Sequence, residues 1–227
     1  MGDGGPIQGA AAAGPIAGVS AAILAGGASR RMGQDKALLP WGTEPGGTEQ
    51  GGTVIGHLAS VLRPLFDEVL LVAHDPSPYE FLGLPAVRDR EAGLGPLGGI
   101  EAALRASSNP RVFVVACDMP FLEPALIRFM AALADAPARV PAALAVVPFL
   151  GDGRPEPLHA LYDRRLLPLV ERLLAAGERR VQALLVAADV RRVGAEEVRR
   201  FADLERVFAN LNRPEDYERA QRHSREV

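Results

Sequence analysis

The chain has 227 residues, 48% of them hydrophobic and 23% charged, which fits one sizeable globular domain and leaves little room for a second. Its formal net charge of −3 excludes a global attraction to nucleic acid or to an anionic membrane, so any anion must be bound by a local cluster of cations. Its one cysteine, Cys117, excludes an intramolecular disulfide and fits a cytoplasmic location, and no apolar run reaches the ~20 residues that span a bilayer.

Residues 1–17 are mostly Gly, Ala and Pro with almost no charge and lack the basic start of a signal peptide. They are expected to form a flexible leader before a single domain over 18–222. Val19–Leu24 is a short apolar run that reads as a buried strand. The chain leaves it through Gly26 and Gly27, where no Cβ keeps a ligand from the backbone. Arg30, Arg31 and Lys36 follow at once. Exposed amides beside Arg and Lys are what a polyphosphate needs, because the amides solvate its oxygens and the cations offset its charge. The spacing is not that of the common phosphate loop, since Ala37 stands where that motif needs a hydroxyl for magnesium.

Residues 42–52 hold five glycines and no large apolar side chain, so a mobile loop is expected there, as a lid or a tolerated insertion. Thr53 is placed to cap a helix in which Ile55, Leu58, Ala59 and Leu62 recur at helical spacing. Val69–Ala73 is continuously apolar, the mark of a strand buried on both faces. Residues 85–88 suggest a short strand ending at Asp89, 93–99 a glycine-rich lead into a helix over 100–106, and 112–116 the clearest central strand. A helix over 124–134, with proline in its first turn, follows. Strands over 142–149 and 158–162 flank a turn at 151–155. Helices over 166–176 and 181–187 flank Gly177, and a final helix begins near Pro214. The alternation predicts an α/β fold: a Rossmann-like, mostly parallel sheet with helices on both faces.

Two stretches compete for the nucleotide. Gly93-x-Gly95-x-x-Gly98 matches the dinucleotide fingerprint, with Asp118 near the place of its ribose-binding acid. That reading makes the chain a dinucleotide-binding oxidoreductase. Pro96 in the turn, the short preceding strand and the position of Asp118 at the end of its own strong strand weigh against it. Ligands of open parallel sheets bind beyond the carboxyl ends of the strands. Asp118 there suits Mg²⁺, which takes few carboxylates and fills its shell with water and phosphate. It lies too far from the helix near Pro124 to cap it. Cys117 reads as a small buried residue. Asn212 could cap the last helix, with Pro214 in its first turn, or its amide oxygen could reach a metal or acceptor. Four scattered histidines give no zinc spacing.

The run Leu24-Ala-Gly-Gly-x-Ser-x-Arg-Met-Gly-x-Asp-Lys36 resembles the signature loop of nucleotidyltransferases, most closely that of the molybdenum cofactor guanylyltransferases of the MobA family. The resemblance extends in patches to about Ala220. It implies transfer of GMP from GTP to the terminal phosphate of molybdopterin, with Mg²⁺ as cofactor. Leu24, Ala25, Gly26, Gly27 and Lys36 would then cradle the nucleotide, with Lys36, Arg31 and Asp118 as the catalytic groups and Asp118 as the metal ligand. Gly95 would let the backbone pass near base and ribose, and Asp89 would contact guanine. A carboxylate suits that base, because it can accept from both N1–H and the 2-amino group. Asn210 and Asn212 lie in a stretch like the family's closing motif, and residues 177–181 resemble one that helps receive the acceptor. Transient contact with other cofactor-biosynthesis proteins is implied in the same way. Cytidylyl transfer to the same or another phosphate is the nearest alternative.

Overall fold

The structure, a computed structural model, describes residues 14–26, 35–42, 52–88, 94–135 and 143–224. Seven strands are found among them: β1 (Val19–Leu24), β2 (Val69–Ala73), β3 (Ala86–Arg88), β4 (Arg111–Ala116), β5 (Ala145–Pro148), β6 (His159–Asp163) and β7 (Val190–Val193). They form one sheet in the order β3-β2-β1-β4-β6-β5-β7. Only β6 runs against its neighbours, pairing antiparallel with β4 and β5. In β1, Leu24 lies level with Val72 of β2 and Ala116 of β4, so three strands reach their carboxyl ends together.

Because side chains alternate along each strand, the sheet divides its apolar residues between two cores. Ala21, Ile23, Leu71, Phe113 and Val115 face α1 (Val54–Leu62) and α3 (Pro124–Asp135). Ala22, Leu70, Val72, Val112 and Val114 face α2 (Gly95–Ala106), α4 (Leu167–Ala175) and α5 (Val181–Ala187). Double-sided burial explains why β1, β2 and β4 read as unbroken apolar runs. Each fully buried Ile or Leu contributes about 1.5–3 kcal/mol. Among the described residues no helix is long and apolar enough to cross a membrane.

Several elements differ from expectation. The leader does not stay free up to residue 17: the Ile16 N–H donates to the Leu65 carbonyl at 2.8 Å, and the Arg128 guanidinium donates to the Gly14 carbonyl at 2.9 Å. Ile16 is the cause, since its side chain packs on the α1–α3 core. Helix α2 starts at Gly95, not near Ile100. Helix propensity argues against a start so rich in glycine, but a Cβ at Gly99 would lie 3.0 Å from Leu24 Cδ1. Glycine is therefore what lets α2 approach the end of β1. The strand expected over 142–149 is pared to Ala145–Pro148. β7, α6 (Ala195–Arg199), α7 (Leu204–Val207) and a 3₁₀ turn over Ser77–Leu82 went unread. The last helix, α8 (Pro214–Ser224), and the Thr53 cap, whose Oγ1 accepts from Gly56 N at 3.1 Å, are as expected. The expected loop over 42–52 lies, apart from its two ends, outside the described residues.

Candidate active site at the carboxyl ends of β1 and β4

The chain leaves β1 through Leu24, Ala25 and Gly26. The Leu24 carbonyl accepts from Cys117 N at 3.1 Å, and Ala25 N donates to Val72 O at 2.8 Å. Gly26 has φ +125°, a conformation L residues rarely adopt, and open space where a Cβ would stand. Gly27, Arg30 and Arg31 lie outside the described residues, as do Asp89 and Gly93.

The chain re-enters at Asp35, whose Oδ1 accepts from Ala37 N at 3.0 Å and caps a 3₁₀ turn, Lys36–Leu38. That turn presents Lys36, and its Nζ lies 3.4 Å from Oδ1 of Asn212, 176 residues away. The contact is long for a hydrogen bond, so among the described residues it takes up little of the ammonium's donor capacity.

Asp118 directly follows β4. Its carbonyl accepts from Leu211 N at 2.9 Å, which ties the closing segment to the strand end. Pro120, two residues on, has its carbonyl held by His57 Nε2 at 3.1 Å. Burial raises the Asp118 carboxyl above its ordinary range, while Lys36 pulls in the opposite direction. A carboxylate short of solvation beside one cation is a place where more positive charge is favourable. Among the described residues no group of three or more His, Cys, Asp or Glu could hold a metal alone. An ion on Asp118 would complete its shell with water and substrate phosphate, the usual habit of Mg²⁺, and the residues fit that ion.

Helix α3 takes its local cap from Glu123, whose Oε1 accepts from Ala125 N at 3.1 Å, and not from Asp118. At the start of α8 it is Asp216 that reaches back to Arg213 N, at 2.9 Å, while Asn212 turns its amide oxygen to Lys36. Asn210 donates to Phe208 O at 3.1 Å and borders a cavity of about 420 Å³ between Phe121, Arg206 and α8. The dinucleotide reading fails on topology. α2 follows β3, a three-residue strand at the sheet edge, whereas the fingerprint belongs to the first strand of a βαβ unit.

Gly95 has φ +64°, and a Cβ on it would meet the Arg179 carbonyl at 3.3 Å. The 177–181 junction thus packs on the start of α2. Its charges are spent locally. Hydrogen bonds from the Arg180 side chain, then from the Arg180 and Arg179 amides, hold the Glu178 carboxyl down to about 2. Arg179 Nη1 donates to the carbonyls of Leu174 and Glu178, both at 3.0 Å. The junction shapes the wall beside Gly95 more than it offers free cations.

Two further groups, half-buried Cys117 and buried His159, are inert. Burial pushes the Cys117 thiol up to about 12, so it is no nucleophile. His159 sits edge-on between Phe113 and Phe208, with ring centroids 5.2 and 5.3 Å away and neither nitrogen bonded, and burial pushes its pKa down to about 3. It is a neutral core residue. Sequence reasoning missed Tyr79, whose hydroxyl donates to Asp35 Oδ2 at 2.5 Å. It also missed His57, where a polar side chain inside an apolar helix pattern was the available signal.

Known proteins resemble this chain in sequence and in fold. Residues 21–193 match the MobA-like NTP transferase domain. A probable molybdenum cofactor guanylyltransferase of Carboxydothermus hydrogenoformans is 38% identical over 201 residues, 88% of this chain and 94% of that protein. The molybdenum cofactor guanylyltransferase of Syntrophotalea carbinolica is 35% identical over 204 residues, 89% of this chain and 90% of its own. The crystal structure of molybdopterin-guanine dinucleotide biosynthesis protein A from Archaeoglobus fulgidus superposes with a TM-score of 0.75 at 26% identity, covering 92% of this chain and all of that one. The domain match runs from within β1 to the end of β7, and the chain belongs to the family of MobA-like NTP transferases.

Proposed function

We propose that the chain transfers GMP from GTP to the terminal phosphate of molybdopterin, releasing pyrophosphate. The single observation that carries the nucleotidyl transfer is the convergence of Lys36, Asp118 and Asn212, from three separate segments, at the carboxyl ends of β1 and β4. The acceptor and the base follow the names of the relatives at 35–38% identity.

An acceptor phosphate oxygen attacks the α-phosphorus in line, so the protein needs no covalent step and works by positioning and charge stabilisation. Leu24, Ala25, Gly26 and Gly27 offer backbone to the nucleotide, and Gly26 needs its unusual φ to do so. Lys36 and Arg31 neutralise the charge that builds on the leaving pyrophosphate. Asp118 would hold Mg²⁺, which would supply positive charge to offset that of the phosphates. Asp89 accepts from the guanine N1–H and 2-amino group, while Gly95 keeps the start of α2 clear of side-chain bulk near the base. Asn212 steadies Lys36, and Asn210, in the same closing segment, contributes to nucleotide binding. A binding screen of the four nucleoside triphosphates with Mg²⁺, followed by pyrophosphate release with molybdopterin, tests the reading. Preference for GTP and acceptor-dependent release are expected. Preference for CTP, or binding without release under any acceptor, would overturn it.

A further inference from the structure

We propose that Tyr79 is a positioning residue for the triphosphate, acting through Asp35 on Lys36. The inference rests on the reading of Lys36 as a phosphate-binding cation. Tyr79 comes from the 3₁₀ turn Ser77–Leu82, between β2 and β3, and its ring is buried in the α1–α3 core. The start of its turn is fixed by Asp75, whose Oδ1 accepts from Ser77 N at 3.0 Å. From there the hydroxyl reaches 44 residues back along the chain to Asp35 Oδ2, at 2.5 Å.

Asp35 is thereby held at both oxygens, by Tyr79 on one and by Ala37 N on the other. The turn it caps has only three residues. So short a 3₁₀ segment has little stability of its own, and its place is set by what clamps it. The first residue of the turn is Lys36, whose Nζ points to Asn212 and whose charge acts on Asp118. The hydroxyl has a second effect. A bare carboxylate next to the phosphate-binding lysine would repel the incoming triphosphate, and a donor on Asp35 Oδ2 disperses that charge. Burial and the Asp35 carboxylate raise the Tyr79 phenol above its ordinary range, so it stays protonated and remains a donor.

Tyr79→Phe keeps the buried ring and removes only the donor. The expected result is a roughly tenfold rise in Kd and KM for Mg-GTP, with kcat within about twofold and the melting temperature within a few degrees, the scale of one charge-assisted bond. Asp35→Ala should weaken binding to a similar degree, and combining it with Tyr79→Phe should add less than about twofold. On a Lys36→Ala background, Tyr79→Phe should likewise have almost no further effect. A merely structural tyrosine would lower stability and would add its full cost on both backgrounds. Unchanged GTP affinity in Tyr79→Phe, or an effect that persists without Lys36, overturns the inference alone. A wild-type chain that binds no nucleoside triphosphate overturns the proposed function and the inference with it.

Discussion

Lys36→Ala removes the cation on which phosphate binding is argued to depend. Among the described residues the ammonium has one long contact, 3.4 Å to Asn212 Oδ1, and that contact contributes little folding energy. The neighbouring Ala37 and Leu39 are buried and their packing is untouched. In the complex the same ammonium would make at least one charge-assisted hydrogen bond to a triphosphate oxygen. Its removal should cost about 2–3 kcal/mol, a loss in affinity of roughly 30- to 150-fold. Titration calorimetry with Mg-GTP reads that loss directly, and thermal melting of the same sample checks the fold. Lys36→Arg should recover part of the affinity, because charge is kept while the point geometry is lost. A folded Lys36→Ala protein with unchanged GTP affinity would refute the phosphate-site reasoning.

Asp89→Asn should change base preference more than phosphate affinity. An amide offers one acceptor and sets a donor against the 2-amino or N1–H group, so discrimination for GTP should fall by roughly ten- to a hundredfold. Equal losses for GTP and for free pyrophosphate in competition binding would place Asp89 elsewhere. Glu68→Gln probes the polar network at the opposite end of the sheet. There Glu68 Oε2 accepts from Ser20 Oγ at 2.5 Å and Ser108 N at 2.9 Å, and Ser20 Oγ in turn accepts from Ser107 and Asn109. Burial acts to raise the Glu68 carboxyl, but these bonds outweigh it and hold it below its ordinary value. A lowered folded pKa means that the stabilisation is present above the unfolded value of about 4.3 and lost as pH falls through the folded one. Glu68→Gln should therefore cost about 1–2 kcal/mol at neutral pH, and the cost should shrink as pH falls below the unfolded value. A pH-independent difference in urea midpoints would contradict this.

The strands were legible where burial is two-sided. Val19–Leu24 and Val69–Ala73 carry apolar residues at every or nearly every position, and no helix surface would need that. β7 was not legible, because Val190-Arg-Arg-Val193 has neither alternation nor an apolar run. It is a strand only because β5 offers it a parallel edge. The start of α2 was misjudged because propensity is local, while the contact of Gly99 with Leu24 is tertiary. Lys36 and Asp118 could be singled out by charge type at strand ends. Their convergence with Asn212 could not, as it depends on the Leu211–Asp118 hydrogen bond across the fold. Tyr79 left no mark at all, since a tyrosine in a turn between two strands looks like any core aromatic until Asp35 is seen beside it.

Asp118→Asn tests the catalytic account most directly, through pyrophosphate release and thermal melting of one sample. The substitution keeps size and one oxygen but removes the charge that would anchor Mg²⁺. Turnover should fall by at least two to three orders of magnitude, about 3–4 kcal/mol in barrier, and recover in part at high Mg²⁺ or Mn²⁺. Because burial raises the Asp118 carboxyl in the folded protein, the ion-free fold bears the cost of a desolvated charge at neutral pH. The asparagine protein should then melt at the same temperature as the parent or higher. Loss of turnover in a protein at least as stable is the result the account predicts. Normal turnover, with or without a lower melting temperature, would contradict it.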